Sequence, residues 1–161
     1  MPPWIGYFAS GGSPALKIRV SGPFSDPIEY EAVLDTGFTG FLSLPLVEAI
    51  RLGLILHGTT KVSYADASEN YRLTARGQVE IEDHEKIGVI ILEPSTNELL
   101  LGMDFSRLFQ RALLVSKDGV ALVEEEELAK ATEAAGTAEA TKANPLPFPE
   151  PPPADTPNTG S

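Results

Sequence analysis

The segment Ala32-Val33-Leu34-Asp35-Thr36-Gly37 constrains this chain more than any other. An apolar strand runs directly into a carboxylate, a hydroxyl and a glycine, and residues 38–45 that follow are again mostly apolar. A carboxylate at the end of a buried strand is costly to desolvate unless neighbouring donors hold it. Thr36 and the Gly37 backbone N–H are the donors nearest to hand.

The surrounding pattern is β-rich. Leu16-Lys17-Ile18-Arg19-Val20 alternates with period two, as a strand with one wet face does. Ser21-Gly22-Pro23 and Ser25-Asp26-Pro27 supply turn chemistry, and residues 28–34 return as a second strand, so a hairpin delivers Asp35. Pro45 and Gly53 punctuate a short helix whose apolar positions 46, 47, 49, 50 and 54 fit one buried face. Residues 61–71 have strand character at both ends and small polar residues between, which predicts an exposed hairpin tip. Two further strands, 76–82 and 87–92, flank a turn at Asp83-His84. The second of them, Ile87-Gly88-Val89-Ile90-Ile91-Leu92, is apolar enough to be buried on both faces. Leu99-Leu100-Leu101-Gly102 leads into a helical pattern over residues 103–109. A last hairpin joins 112–115 to 120–123 through Ser116-Lys117-Asp118-Gly119.

Composition narrows the class. With 161 residues, 42% of them hydrophobic, the chain suits one globular domain. Of its net charge of −11, residues 124–161 carry −6, from eight acidic and two basic side chains. An acidic domain with an acidic tail offers nothing that would release counterions from DNA or RNA, so no nucleic-acid partner is expected. There is no cysteine, and His57 and His84 are not in metal-ligand spacing, so neither a metal nor another cofactor is expected. The start of the chain lacks the pattern of a signal peptide, and no apolar run approaches the roughly 20 residues that span a bilayer, which predicts a soluble, cytoplasmic protein without a membrane partner.

The chain divides at residue 123. Residues 1–123 form the β-rich domain. Residues 124–161 are Ala/Glu-rich, then Pro-rich, with seven of the fourteen prolines beyond residue 143. After Leu128 only Leu146 and Phe148 are large apolar anchors, too few to offset the entropy of ordering the tail, which is expected to be disordered apart from a transient helix. The simplest role for it is a linker or solubilising segment. The alternative is that residues 145–153 present an extended polyproline ligand to a proline-recognising partner.

The order strand, strand, Asp-Thr-Gly, short helix, hairpin with a polar tip, strands, then apolar-apolar-Gly and helix resembles the retropepsin-like aspartic proteases, their bacterial single-domain type in particular. The matching residues are Ala32-Val33-Leu34-Asp35-Thr36-Gly37, the tip Tyr64-Ala65-Asp66, and Leu100-Leu101-Gly102, within residues 12–123. The resemblance implies an all-β, retropepsin-like acid-protease barrel with one or two short helices. It implies that Asp35 is catalytic, that Thr36 and Gly37 shape the active-site loop, and that Leu100, Leu101 and Gly102 pack beneath it. Phe38, Tyr64, Ala65 and Asp66 would then belong to the substrate-binding and flap region.

Such chemistry needs two carboxylates sharing one proton, one acting as base towards water and the other as acid towards the carbonyl oxygen. Two carboxylates about 3 Å apart at an effective dielectric near 20 would repel by about 5 kcal/mol if both were ionised, so the pair holds one proton over a broad pH range. The chain has a single Asp-Thr-Gly. The second carboxylate must come from a second copy, so an endopeptidase is expected to be a homodimer acting on peptides or proteins. Three departures accompany the resemblance: Phe38 stands where a small residue is usual, the tip lacks a glycine, and Met103-Asp104 replace an arginine found in retroviral relatives. The alternatives are a catalytically silent dimer of the same fold that binds peptides or organises an assembly, and a monomeric barrel whose tail recruits a partner.

Overall fold

Alternating apolar residues set the strands, and the computed structural model, which describes residues 1–139, shows where each one goes. By compactness the chain divides into a unit spanning Met1–Leu128 and a second unit beginning at Ala129. The elements run β1 (Trp4–Phe8), β2 (Pro14–Ser21), β3 (Ile28–Leu34), β4 (Leu42–Pro45), α1 (Leu46–Arg51), β5 (Leu56–Ser63), β6 (Glu69–Ile81), β7 (His84–Glu93), β8 (Leu99–Leu101), α2 (Met103–Phe109), β9 (Arg111–Ser116) and β10 (Gly119–Glu124). Helix α3 (Glu125–Glu139) follows β10.

Strands β2, β3, β8, β4, β7 and β6 pair in that order, and β6 returns to β2 through Arg19↔Glu80, Val20↔Val79 and Ser21↔Gln78, closing a six-stranded barrel. Most pairings are antiparallel; β3–β8 and β4–β7 are parallel. Strand β5 hangs from β6 as the outer arm of a long hairpin, and among the described residues it pairs with no other strand. Strands β1, β10 and β9 flank β2, with β9 outermost.

The inner face is aliphatic. Leu16, Ile18 and Val20 of β2 are buried while Lys17 and Arg19 point outward to Glu29 and Glu80. Leu42, Leu44, Ile90, Leu101 and Phe105 complete the centre. Burying each such side chain stabilises by about 1.5–3 kcal/mol, and a one-residue slip would turn a whole set outward, so this face also sets the register.

Four features differ from the sequence expectation. The two patterns read over 61–71 and 76–82 are joined, because β6 is one continuous strand of 13 residues. Strand β7 is not buried on both faces: Gly88, Ile90 and Leu92 point inward, but Ile87 is 61% and Val89 41% exposed. The barrel covers only one side of β7, and the other side walls an open cleft. Helix α1 spans six residues and buries Ala49, with Leu52 just beyond its end, so Val47 and Ile50 lie on the opposite stripe and are 66% and 73% exposed. Lastly, the described residues hold three helices, since 125–139 of the expected tail is helical, with Glu125, Glu126 and Glu127 placed favourably in its first turn. Residues 145–153 lie outside the described residues.

Candidate active site

Asp35 is positioned by hydrogen bonds that begin in β3. Ala32, Val33 and Leu34 pair in parallel with Leu99, Leu100 and Leu101 of β8, and the Asp35 N–H extends that ladder by donating to the Leu101 carbonyl at 3.0 Å. The chain then turns. The Phe38 N–H donates to the Asp35 carbonyl (3.1 Å), and the Gly37 N–H donates to Asp35 Oδ1 (2.9 Å). Thr36 is exposed, and its hydroxyl has no partner among the described residues, so Gly37 alone of the two expected donors holds the carboxylate.

The far side of the loop is tied to α2. The first N–H groups of a helix have no partner inside it, and α2 has no side-chain cap. Here loop carbonyls fill that role: Met103 N–H donates to Phe38 O (2.8 Å), and Asp104 N–H is shared between Thr39 O and Gly40 O (3.2 Å each). Gly102 N–H donates to Phe41 O at 3.3 Å. The contact is too close for side chains, since a Cβ on Gly102 would lie 2.2 Å from Gly40 O and 2.5 Å from Phe38 O. A Cβ on Gly40 would lie 2.6 Å from the tip of the Phe38 ring. Phe38 is therefore packed over Gly40 and Gly102. Phe41 is buried, and a row of rings runs from it through Phe105 (6.1 Å between centroids) and Phe109 (4.9 Å) to Trp4 (5.2 Å).

A cleft of about 870 Å³ opens beside the loop. Residues 37–41 form its floor, residues 60–63 of β5 overhang it, Ile87, Val89 and Ile91 of β7 form the wall, and Asp104, Arg107 and Leu108 close one end. The hairpin tip stands apart from this lining. There Tyr64 N–H donates to Ser68 O, Asp66 Oδ1 accepts from the Ser68 N–H (2.9 Å) and hydroxyl (2.6 Å), and Ala67 adopts a left-handed φ of 64°. The Ser68 bonds hold the Asp66 carboxyl below the usual carboxylate range. Tyr64 donates its hydroxyl to Glu93 Oε1 (3.0 Å), Glu93 Oε2 accepts from Arg72 (2.7 Å), and the guanidinium lies 5.5 Å over the tyrosine ring. Burial, then the bond to Glu93, pushes the Tyr64 phenol up.

No family profile and no curated protein sequence matches the chain. Solved structures do. A retropepsin-like aspartic protease from Rickettsia conorii superimposes with a TM-score of 0.55 at 19% identity, covering 75% of this chain and 89% of its own. EIAV protease, solved with the inhibitor HBY-793, superimposes with a TM-score of 0.52 at 13% identity, covering 64% of this chain and 93% of its own. The fold is retropepsin-like.

Within this retropepsin-like fold, Asp35, Thr36, Leu101 and Gly102 line one small cavity together with Leu34, Met103, Ser106 and Leu113. Leu100 lies one residue back on β8, opposite Val33. Gly37 and Phe38 border the large cleft, whereas Tyr64, Ala65 and Asp66 do not. Sequence reading missed three groups: Arg76, Ile87 and Val89 on the cleft wall, the Arg72–Glu93 brace of the hairpin, and Arg111. The last is a guanidinium only 3% exposed, 4.4 Å over the Trp4 ring and 3.7 Å from Glu124. Alternation in β6 and β7 marks Arg76, Ile87 and Val89 as outward; nothing in a single sequence marks that outside as concave.

Proposed function

We propose that the chain is an aspartic endopeptidase whose active site forms when two copies bring their Asp35 carboxylates together. The observation that carries this reading is the Asp35 loop: one carboxylate oxygen is held by the Gly37 N–H, while the loop's carbonyls are occupied by α2. In the dimer one Asp35 is ionised and takes a proton from water, and its mate is protonated and gives one to the scissile carbonyl oxygen. The peptide lies along the free edge of β5 as an added strand, main chain first, and Thr36 bonds to the loop of the second copy. Strand β9 supports a second copy, since it is the outer strand of its sheet, carries half-exposed Leu114 and Val115, and places Leu113 in the small cavity with Asp35.

Phe38 does not weigh against activity, because its ring is packed on Gly40 and Gly102 rather than free. The reading also takes the protein to be cytoplasmic; no helix among the described residues is long and apolar enough to cross a membrane. The test is a comparison of wild type with Asp35→Asn on a peptide library between about pH 4 and 6, alongside the mass in solution. Cleavage that depends on Asp35 and on a dimer is expected. Equal turnover by the two proteins, or a monomer at high concentration that still cleaves, would remove the two-carboxylate mechanism.

A further inference from the structure

The walls of the cleft have a composition unlike the rest of this acidic molecule. Three cations line it, Lys61, Arg76 and Arg107, against one carboxylate, Asp104. Lys61 is paired with Glu69, and Arg107 with Asp104 (3.0 Å). Arg76 has no acidic partner among the described residues, and its neighbour on the same face of β6, Gln78, is bonded to Glu85 instead. Across the strand pair Arg76 lies directly opposite Val89, with Ile87 and Ile91 on the diagonals. Its stem therefore runs over an aliphatic strip. On its other side a second hollow of about 590 Å³ is lined by exposed Ile55 and Leu56 and shares Arg76 and Ile87 with the cleft. A guanidinium without an acidic partner among the described residues thus lies between the two hollows, beside aliphatic side chains of both.

We propose that Arg76 is a specificity-determining residue that selects peptides carrying an acidic side chain flanked by aliphatic ones. This rests on the peptidase reading and deepens it. The planar guanidinium takes the carboxylate through two parallel N–H···O bonds, and Ile87, Val89 and Leu56 cover the neighbouring side chains. A neutral isostere loses the charge-assisted bonds but keeps the apolar contacts. The overall charge of −11 repels acidic peptides at long range, so this selection acts on bound-state contacts.

The experiment uses the full chain and a proteome-derived peptide library, with products read by mass spectrometry at pH 6. Asp and Glu should be enriched at one fixed position relative to the cut. For a synthetic acidic peptide and its Asn or Gln isostere, kcat/KM should differ about five- to tenfold, mainly through KM. The difference should vanish in Arg76→Gln, persist in part in Arg76→Lys, shrink between 50 and 500 mM NaCl, and fade below about pH 4 as the peptide carboxyl protonates. Cleavage without acidic enrichment, or discrimination that survives in Arg76→Gln, would overturn the proposal and leave the peptidase reading standing. If nothing is cleaved, a fluorescein-labelled random decapeptide mixture is bound to the same proteins. Retention of acidic-aliphatic sequences that is lost in Arg76→Gln would support the subsite while the peptidase reading falls, and unselective retention would end it.

Discussion

Gly102 sits where two carbonyl oxygens leave no space for a methyl group. In Gly102→Ala the loop and the start of α2 must move apart, which opens the bonds from Met103 and Asp104 and shifts Asp35 with them. Overpacking of this kind costs about 1–3 kcal/mol, and the upper end is expected because the neighbours are backbone. The urea midpoint should fall accordingly. Gly119→Ala, at a position with nothing within 4 Å, should stay within about 0.5 kcal/mol of wild type. Tyrosines offer a second test. Burial and a bond to Glu31 push the Tyr7 phenol up to about 12, and burial with a bond to Glu48 (2.7 Å) raises Tyr30 as well. Both are raised above their unfolded value, so the stability they confer is complete below pH 10 and is lost as pH climbs towards 12. Urea midpoints should therefore drop between pH 9.5 and 11.5, and the drop should be shallower in Tyr30→Phe.

At the scale of elements, the hairpin tip shows how far local chemistry can be read. Its polar composition indicated a tip, and the missing glycine matters because Ala67 occupies the left-handed region that glycine favours. That conformation costs an L-residue about 1 kcal/mol, so Ala67→Gly should raise stability by about 0.5–1 kcal/mol in a urea titration. Asp66→Ala, which removes both bonds to Ser68, should speed hydrogen exchange at the Ser68 amide. Elements with a strong period or turn signal were legible in the same way: β2, the 116–119 hairpin, and the strand that ends at Asp35. Strand β1 was not, because Trp-Ile-Gly-Tyr-Phe has no clean alternation and its burial depends on β10, more than a hundred residues away. The both-faces-buried reading of β7 failed for a related reason. An apolar run looks the same whether its second face meets a helix layer or the wall of a cleft. The turn that brings Gly37 N–H to the Asp35 carboxylate and the close approach at Gly102 were legible because both are local to short sequence patterns; the surroundings of Arg76 and Arg111 were not, because they come from distant stretches of chain.

For the whole molecule, the proposed dimer makes a prediction at the outer strand β9. If the free edge of β9 is the contact, a charge there should block it, as lysines do on natural sheet edges. Val115→Lys should leave the circular dichroism spectrum unchanged, shift sedimentation to the monomer and abolish cleavage. A Val115→Lys protein that remains dimeric would move the interface elsewhere on the barrel. Arg111 belongs to the same flank. It joins Trp4 and the Pro2 carbonyl, from the first residues of the chain, to Glu124 of β10, so Arg111→Ala should destabilise by about 1–3 kcal/mol, through the packing lost over the Trp4 ring and a half-buried Glu124 left with only the terminal ammonium.

The row of rings that ends at Trp4 also makes the protein its own optical probe. The chain holds one tryptophan, buried beneath a guanidinium at the far end of aromatic contacts that begin under the Asp35 loop. Its ultraviolet emission can be followed without a label, and a change in that signal reports on the flank of β1, β9 and β10, where the proposed dimer contact lies.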